Sequence, residues 1–262
     1  MTPVITLLTD FGTRDVYVGV MKGVIARRCP QAKVIDLTHD VAPGDVSAAA
    51  YLLSTAWRYF PAGTIHVAVV DPGVGGARAP LAAEAAGHRF VGPDNGLFAT
   101  IFEEAGAVRG VRIENPGVRL EPLSRTFHGR DLFAPAAAAL AGGASLESLG
   151  PPIYRWERLA MPEPWMTGEG VLVGQVVYVD RFGNLITNLR RGHLRRSSIV
   201  RVAGREVRGL SASYDGVAPG ALLAIIGSSD RLEISVNRGS AAAVLDARTG
   251  TQVEVHSGEQ QP

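Results

Sequence analysis

Residues 67–78 read VAVVDPGVGGAR, the end of an apolar and mostly β-branched run that begins at Ile65. An uninterrupted run of this length fits a parallel strand covered on both faces. It stops abruptly at Asp71, after which Pro72, Gly73, Gly75 and Gly76 let the backbone turn sharply or approach a ligand closely before Arg78. In open α/β sheets, ligands bind at the carboxyl ends of such strands. Two readings of Asp71 therefore stand side by side: a carboxylate that caps a surface turn, or one delivered into a site.

The same layout recurs at the start of the chain. Residues 4–8 are a short apolar run ending in Thr9, Asp10, Phe11 and Gly12. Thr13 and Asp15 supply capping chemistry for a helix over 16–29, where Val16, Val20, Val24 and Ile25 recur at helical spacing and Pro30 closes the segment. A strand at 33–37 leads to a loop with Thr38, His39, Asp40, Pro43 and Gly44, and Asp45 or Ser47 opens a helix over 48–59. Strand and helix alternating in this way predict a parallel sheet with right-handed crossovers. Further strands are expected at 81–85, 88–91 and 111–113, with a helix at 97–104 capped by Asp94 or Asn95. An alanine-rich helix over 132–141 ends at Gly142 and Gly143.

Residues 151–169 change character, with four prolines, Trp156 and Trp165 and little periodicity, and read as a linker lying against a surface. From Gly170 the pattern is all-β, with strands at 171–179, 198–202, 205–207, 222–226, 232–236 and 253–255, and Ala203-Gly204 as a hairpin turn. The expected fold is an α/β N-terminal domain, residues 1–150, with a mostly parallel, Rossmann-like sheet. After the linker comes a smaller all-β barrel or sandwich, residues 170–256, and a polar tail, 257–262.

Composition sets the class. The 262 residues are 46% hydrophobic and 19% charged, with a formal net charge of +1, so neither a nucleic-acid nor a membrane partner is expected. The single cysteine, Cys29, leaves no internal disulfide and no cysteine-rich metal site. The start of the chain lacks a signal-peptide pattern, and no stretch approaches the roughly 18 apolar residues of a membrane span. A soluble cytoplasmic protein is the expectation.

Candidate chemistry lies at the strand ends. Asp10 is placed to accept both hydroxyls of a ribose cis diol. His128 precedes a helix N-terminus, where the dipole favours an anion or a neutral imidazole; a purely structural histidine is the other reading. No G-x-G-x-x-G or G-x-x-x-x-G-K-[ST] pattern offers a phosphate cradle. Asp71, His39, His66, His88 and His128 lack metal-binding spacings, so no metal is expected. In the second domain, Asp180-Arg181-Phe182-Gly183-Asn184 is either a hairpin turn or an aromatic, amide and carboxylate set that stacks on a purine and bonds its edge. The turns at 227–230 and 236–239 are open in the same way.

Together, Thr-Asp-Phe-Gly at 9–12, Val-Asp-Pro-Gly-Val-Gly at 70–75 with Arg78, Pro-Asp-Asn-Gly at 93–96, Thr-Phe-His-Gly-Arg-Asp at 126–131 and Phe-Gly-Asn at 182–184 resemble the S-adenosylmethionine (SAM) hydroxide adenosyltransferases. These are relatives of the fluorinase and chlorinase enzymes, and the resemblance runs through the whole chain in the family's order. It implies conversion of SAM and water to adenosine and L-methionine, with SAM as substrate and no cofactor. It also implies a homotrimer whose active sites lie between the N-terminal domain of one subunit and the C-terminal domain of its neighbour. By motif match, Asp71, Arg78 and His128 hold and activate the water. Asp10 takes the ribose diol, Phe182 and Asn184 the adenine, and Asp180 and Ser228 the methionine end, with Asp15 matching that region more weakly.

The chemistry is self-consistent. A sulfonium leaves as a neutral thioether, so the protein needs only to place a water in line with the ribose C5′, exclude solvent and make that water more nucleophilic. A charged Asp71 repels a halide, which ranks halogenation below hydrolysis. The rival outside catalysis is a sensor that binds SAM or adenosine without turnover; it would not require Asp71, Arg78 and His128 together.

Overall fold

The computed structural model describes residues 2–257, which divide between Leu159 and Ala160 into two compact units. In the first unit the elements follow as β1 (Val4–Thr9), α1 (Tyr17–Arg28), β2 (Lys33–Thr38), α2 (Val46–Ala56), β3 (Ile65–Val69), β4 (Pro80–Ala85), β5 (His88–Pro93), α3 (Ala99–Ala105), β6 (Val108–Arg112), α4 (Ala134–Ala141) and β7 (Pro152–Ile153). The sheet is mixed, in the order β2-β1-β3-β5-β4-β6-β7. The strands β2, β1, β3 and β5 run parallel, while β4, β6 and β7 pair antiparallel.

Every residue of β3 is buried, as its apolar run requires. Ile65, Val67 and Val69 join a core with Met21 and Ile25 of α1 and the alanines of α4. On the opposite face, His66 sits against Phe60, His88 and Phe90. This fully buried histidine meets Thr6 Oγ1 through Nδ1 at 2.8 Å and His88 Nδ1 through Nε2 at 3.1 Å. Burial, with the neighbouring His88 adding to it, pushes the His66 pKa down to about 3, so the pair is held neutral.

Asp45 caps α2, accepting from Ala48 N at 2.9 Å. Two other expected caps are not made. The residue before α1, Val16, already has helical backbone angles and no side-chain cap, and Thr13 and Asp15 are exposed. A cap needs extended backbone at that position to fold its oxygen back onto the helix. Phe98 likewise opens α3 uncapped, because Asn95 and Asp94 are bonded elsewhere: Asn95 to Val70 O and Leu97 N, Asp94 to Glu157 N. The strand expected at 111–113 starts earlier, as Val108–Arg112, where Arg109 is free to pair with Glu84 and Glu147 on the exposed side. Within 151–169, β7 extends the first sheet beside β6 and Trp156 packs edge-on against Phe102.

The second unit holds β8 (Trp165–Met166), β9 (Leu172–Val179), β10 (Leu185–Arg190), β11 (Ile199–Val202), β12 (Arg205–Arg208), β13 (Leu222–Ile226), β14 (Arg231–Val236), α5 (Ala241–Leu245) and β15 (Gln252–His256). Its strands are ordered β12-β11-β15-β9-β10-β14-β13, with β8 on β9, and all these pairs are antiparallel. The end strands β12 and β13 approach each other, giving a nearly closed, barrel-like sheet around Val176, Leu185, Val200, Leu232 and Ile234. Ala203 and Gly204, both at positive φ, make the β11–β12 hairpin turn. The strand β10 is absent from the sequence reading because Thr187 and Asn188 interrupt its apolar pattern; both are buried, bonding Leu232 O and Pro162 O. Of the expected tail, Ser257 is exposed and 258–262 lie outside the described residues. No helix among the described residues is long and apolar enough to cross a membrane.

Candidate active site

The chain leaves β1 toward β2 on one side and returns to β3 on the other, so the carboxyl ends of β1 and β3 flank a topological switch point. Thr9 pairs with Val69 in parallel register, which brings Asp10 and, one position further along, Asp71 out of the same end of the sheet. A cavity of about 420 Å³ opens there, lined by Asp10, Phe11, Pro43, Gly44, Asp71, Pro72, Phe127 and His128 among others.

Asp71 and Arg78 form a buried ion pair, their side chains 5% and 9% exposed. Arg78 Nε lies 3.0 Å from both carboxylate oxygens and one terminal nitrogen donates to Asp71 Oδ2 at 2.5 Å. The same terminal nitrogen stands 2.6 Å from His128 Nδ1. A guanidinium can only donate, so His128 Nδ1 accepts and a neutral imidazole must carry its proton on Nε2. Burial and then the Arg78 charge push the His128 pKa down, against an opposing pull from Asp71 and Asp131, which keeps that tautomer neutral. Phe133 lies beneath the guanidinium, 5.4 Å from its central carbon.

The loop around Asp71 is fixed from two directions. Asn95 Nδ2 donates to the carbonyl of Val70, one residue before the aspartate. Gly75, at φ 73°, passes so close to Arg125 that a Cβ would lie 2.2 Å from its carbonyl oxygen. The Arg125 segment is itself held by Asp131, buried to 1% exposure, which accepts from Ser124 N at 2.8 Å and from Arg130. One turn of π-helix, Gly129–Phe133, starts directly after His128 and leads into α4.

Asp10 is held more loosely. Its Oδ2 accepts from Gly44 N at 2.8 Å, and it faces the cavity. Asp15, by contrast, is exposed and is not among the residues lining the cavity.

In the second unit, Asp180 organises its turn. Oδ1 accepts from the backbone N–H groups of Phe182 and Asn184 at 2.9 Å each, and Oδ2 from Asn184 Nδ2 at 2.9 Å. Gly183 lies against Ser240, where a Cβ would collide with its hydroxyl, and its carbonyl accepts from Ala242 N. The result is a rigid turn that presents Phe182, 73% exposed, beside a buried Asn184. Ser228 is exposed in the turn before β14. Beneath that turn, the buried Glu233 accepts from Tyr214 and Ser235, and burial followed by this carboxylate drives the Tyr214 phenol well above its usual pKa.

Family models describe both units: the SAM hydroxide adenosyltransferase N-terminal domain matches residues 5–150 and the C-terminal domain residues 174–254. The chain belongs to the SAM hydroxide adenosyltransferase family. It is 43% identical to the (R)-S-adenosyl-L-methionine hydrolase of Thermus thermophilus, over 95% of this chain and 97% of that one. The enzyme of the same name from Salinispora arenicola is 41% identical, over 98% and 99%. A fluorinase of Actinoplanes is more distant, 31% identical over 75% of each chain. A crystal structure of a Thermotoga maritima protein superposes with a TM-score of 0.90 at 37% identity, covering 97% of this chain and all of that one.

In this SAM hydroxide adenosyltransferase family member, Asn95, Gly75 and Asp131 also shape the site, although their sequence context suggests a helix cap, loop freedom and the end of a motif. Their signal was present in the motifs themselves, since each lies in a Gly-Val-Gly, Pro-Asp-Asn-Gly or Gly-Arg-Asp stretch, but only tertiary contacts disclose what they hold. Among the described residues no group of three His, Cys, Asp or Glu side chains is placed to hold a metal ion.

Proposed function

We propose that this protein hydrolyses SAM to adenosine and L-methionine, with Asp71, Arg78 and His128 as the water-activating groups and Asp10 on the ribose diol. The observation that carries the reading is the buried Asp71–Arg78–His128 cluster at a cavity shared with Asp10. The water oxygen attacks C5′, the C5′–S bond breaks with its electron pair leaving on sulfur, and the water's proton passes to Asp71. With the His128 proton on Nε2, that imidazole is a donor to the nucleophile's oxygen, and the carboxylate is the acceptor of the set. Arg78 offsets the negative charge that develops on the attacking oxygen. A bare halide would have to settle beside the Asp71 carboxylate, which disfavours halogenation.

The relatives' names specify the (R) epimer at sulfur, which supports the same preference here. In the second unit, Phe182 and Asn184 are the adenine-binding pair, and Asp180 acts by holding their turn. Ser228 and Asp15 are placed at the methionine end on the strength of the resemblance alone. The same resemblance supports a homotrimer, in which each site draws on two subunits; sedimentation checks the assembly.

The test is to incubate the purified protein with each sulfonium epimer and measure adenosine and L-methionine. Equimolar release from the (R) epimer is expected. Tight adenosine binding with no turnover would replace the reading with a sensor.

A further inference from the structure

His39 lies outside the cluster just described, yet it grips the Asp10 loop twice. Its backbone carbonyl accepts from Gly12 N at 2.8 Å, and its ring Nδ1 lies 2.8 Å from Thr9 Oγ1. Thr9 is fully buried and immediately precedes Asp10; its hydroxyl oxygen in turn accepts from Phe11 N at 3.2 Å. On the far side of the ring, Nε2 stands 3.0 Å from Asp36 Oδ1 in a bent approach, and Asp36 Oδ2 takes Lys22 Nζ at 2.6 Å.

The Thr9 hydroxyl oxygen is thus shared between the imidazole Nδ1 and the Phe11 N–H, while Asp36 stands at the other ring nitrogen without a hydrogen bond to it. Residues on both sides of Asp10 are thereby held from one imidazole. The same loop reaches Asp10 itself five residues further on, where Gly44 N bonds Oδ2.

We infer that His39 is a positioning residue for ribose recognition, acting through Thr9 and Phe11 to hold the Asp10 carboxylate in register with a cis diol. The inference rests on the proposed function, because it takes the ligand's ribose as what Asp10 meets. It assigns His39 no contact with the reacting atoms.

Losing one or two neutral hydrogen bonds from this chain is expected to cost about 3- to 30-fold in ribose binding. The measurements are kcat and KM for SAM, together with the inhibition constants of adenosine and 2′-deoxyadenosine. His39→Leu and Thr9→Val are expected to raise KM about 10-fold with kcat within about 3-fold, and to shrink the preference for adenosine over 2′-deoxyadenosine by a similar factor. His39→Asn, whose side-chain amide can replace Nδ1 as the partner of the Thr9 hydroxyl, is expected to restore most of that preference. Asp36→Asn, at the half-exposed end of the chain, keeps the fold and should give a smaller shift in the same direction. An unchanged adenosine preference in both His39→Leu and Asp36→Asn, or a loss of activity confined to kcat, would overturn the inference while leaving hydrolysis intact. A parent protein that neither hydrolyses SAM nor binds adenosine would remove both.

Discussion

Asp10 and Asp71 enter the molecule by the same rule and end in different surroundings. Each follows an apolar parallel strand, and the two strands are neighbours in register. Asp71 is buried and locked to a guanidinium through both oxygens, whereas Asp10 is held through one oxygen by a backbone N–H. A carboxylate with a fixed cationic partner has one orientation toward the cavity. One held by a single amide keeps acceptor capacity for a ligand's hydroxyls. The surroundings, and not the strand-end motif, divide the labour proposed for them.

That division can be broken in order of expected effect. Asp71→Asn should lower kcat about 10³-fold with KM little changed, in the range expected for loss of a general base. A comparable rise in KM instead would put Asp71 in binding. His128→Ala should cost about 10²-fold in kcat. Its folded-state pKa is depressed, so the neutral form persists below the ordinary value of 6.5; the acid limb of kcat/KM should fall below pH 6.5 in the parent and vanish in the variant. Asp10→Asn should raise KM about 10- to 100-fold, the cost of hydrogen bonds to a charged acceptor, with kcat within about 3-fold. Asn95→Ala frees the Val70 carbonyl next to Asp71, and steady-state assays should show kcat down about 10-fold while adenosine inhibition stays unchanged.

The smallest effect at neutral pH concerns the sheet that carries both aspartates. The pKa of His66 is lowered from 6.5 to about 3, so its contribution to stability is complete above pH 6.5 and is lost as pH falls toward 3. Thermal unfolding followed from pH 7 to pH 4 should show a steepening loss of up to about 1.4 kcal/mol per pH unit from this group. A flat profile would mean that the pair is not neutral in the folded protein.

Sequence alone disclosed the strands whose apolar runs are unbroken, and with them both aspartates, because burial on two faces leaves a continuous signature. It did not disclose β10, where Thr187 and Asn188 are buried but satisfied by distant carbonyls, nor α5, only five residues long. The expectation of Asp94 and Asn95 as helix caps fails for a related reason: Asp94 bonds Glu157 N, and Asn95 divides its amide between Leu97 N in its own turn and the distant Val70 carbonyl. The candidate site was legible as a set of residue types. Which nitrogen of His128 accepts, and that Asp180 braces a turn, depended on distances between elements far apart in the chain.

Gly75 carries a consequence for engineering. Its contact with Arg125 leaves no room for even one added carbon, so the aspartate-bearing loop and the histidine-bearing loop are cut to each other's outline. A loop grafted into residues 71–78 that carries any side chain at position 75 would jam against the Arg125 carbonyl. Such a redesign has to exchange both segments as a matched pair.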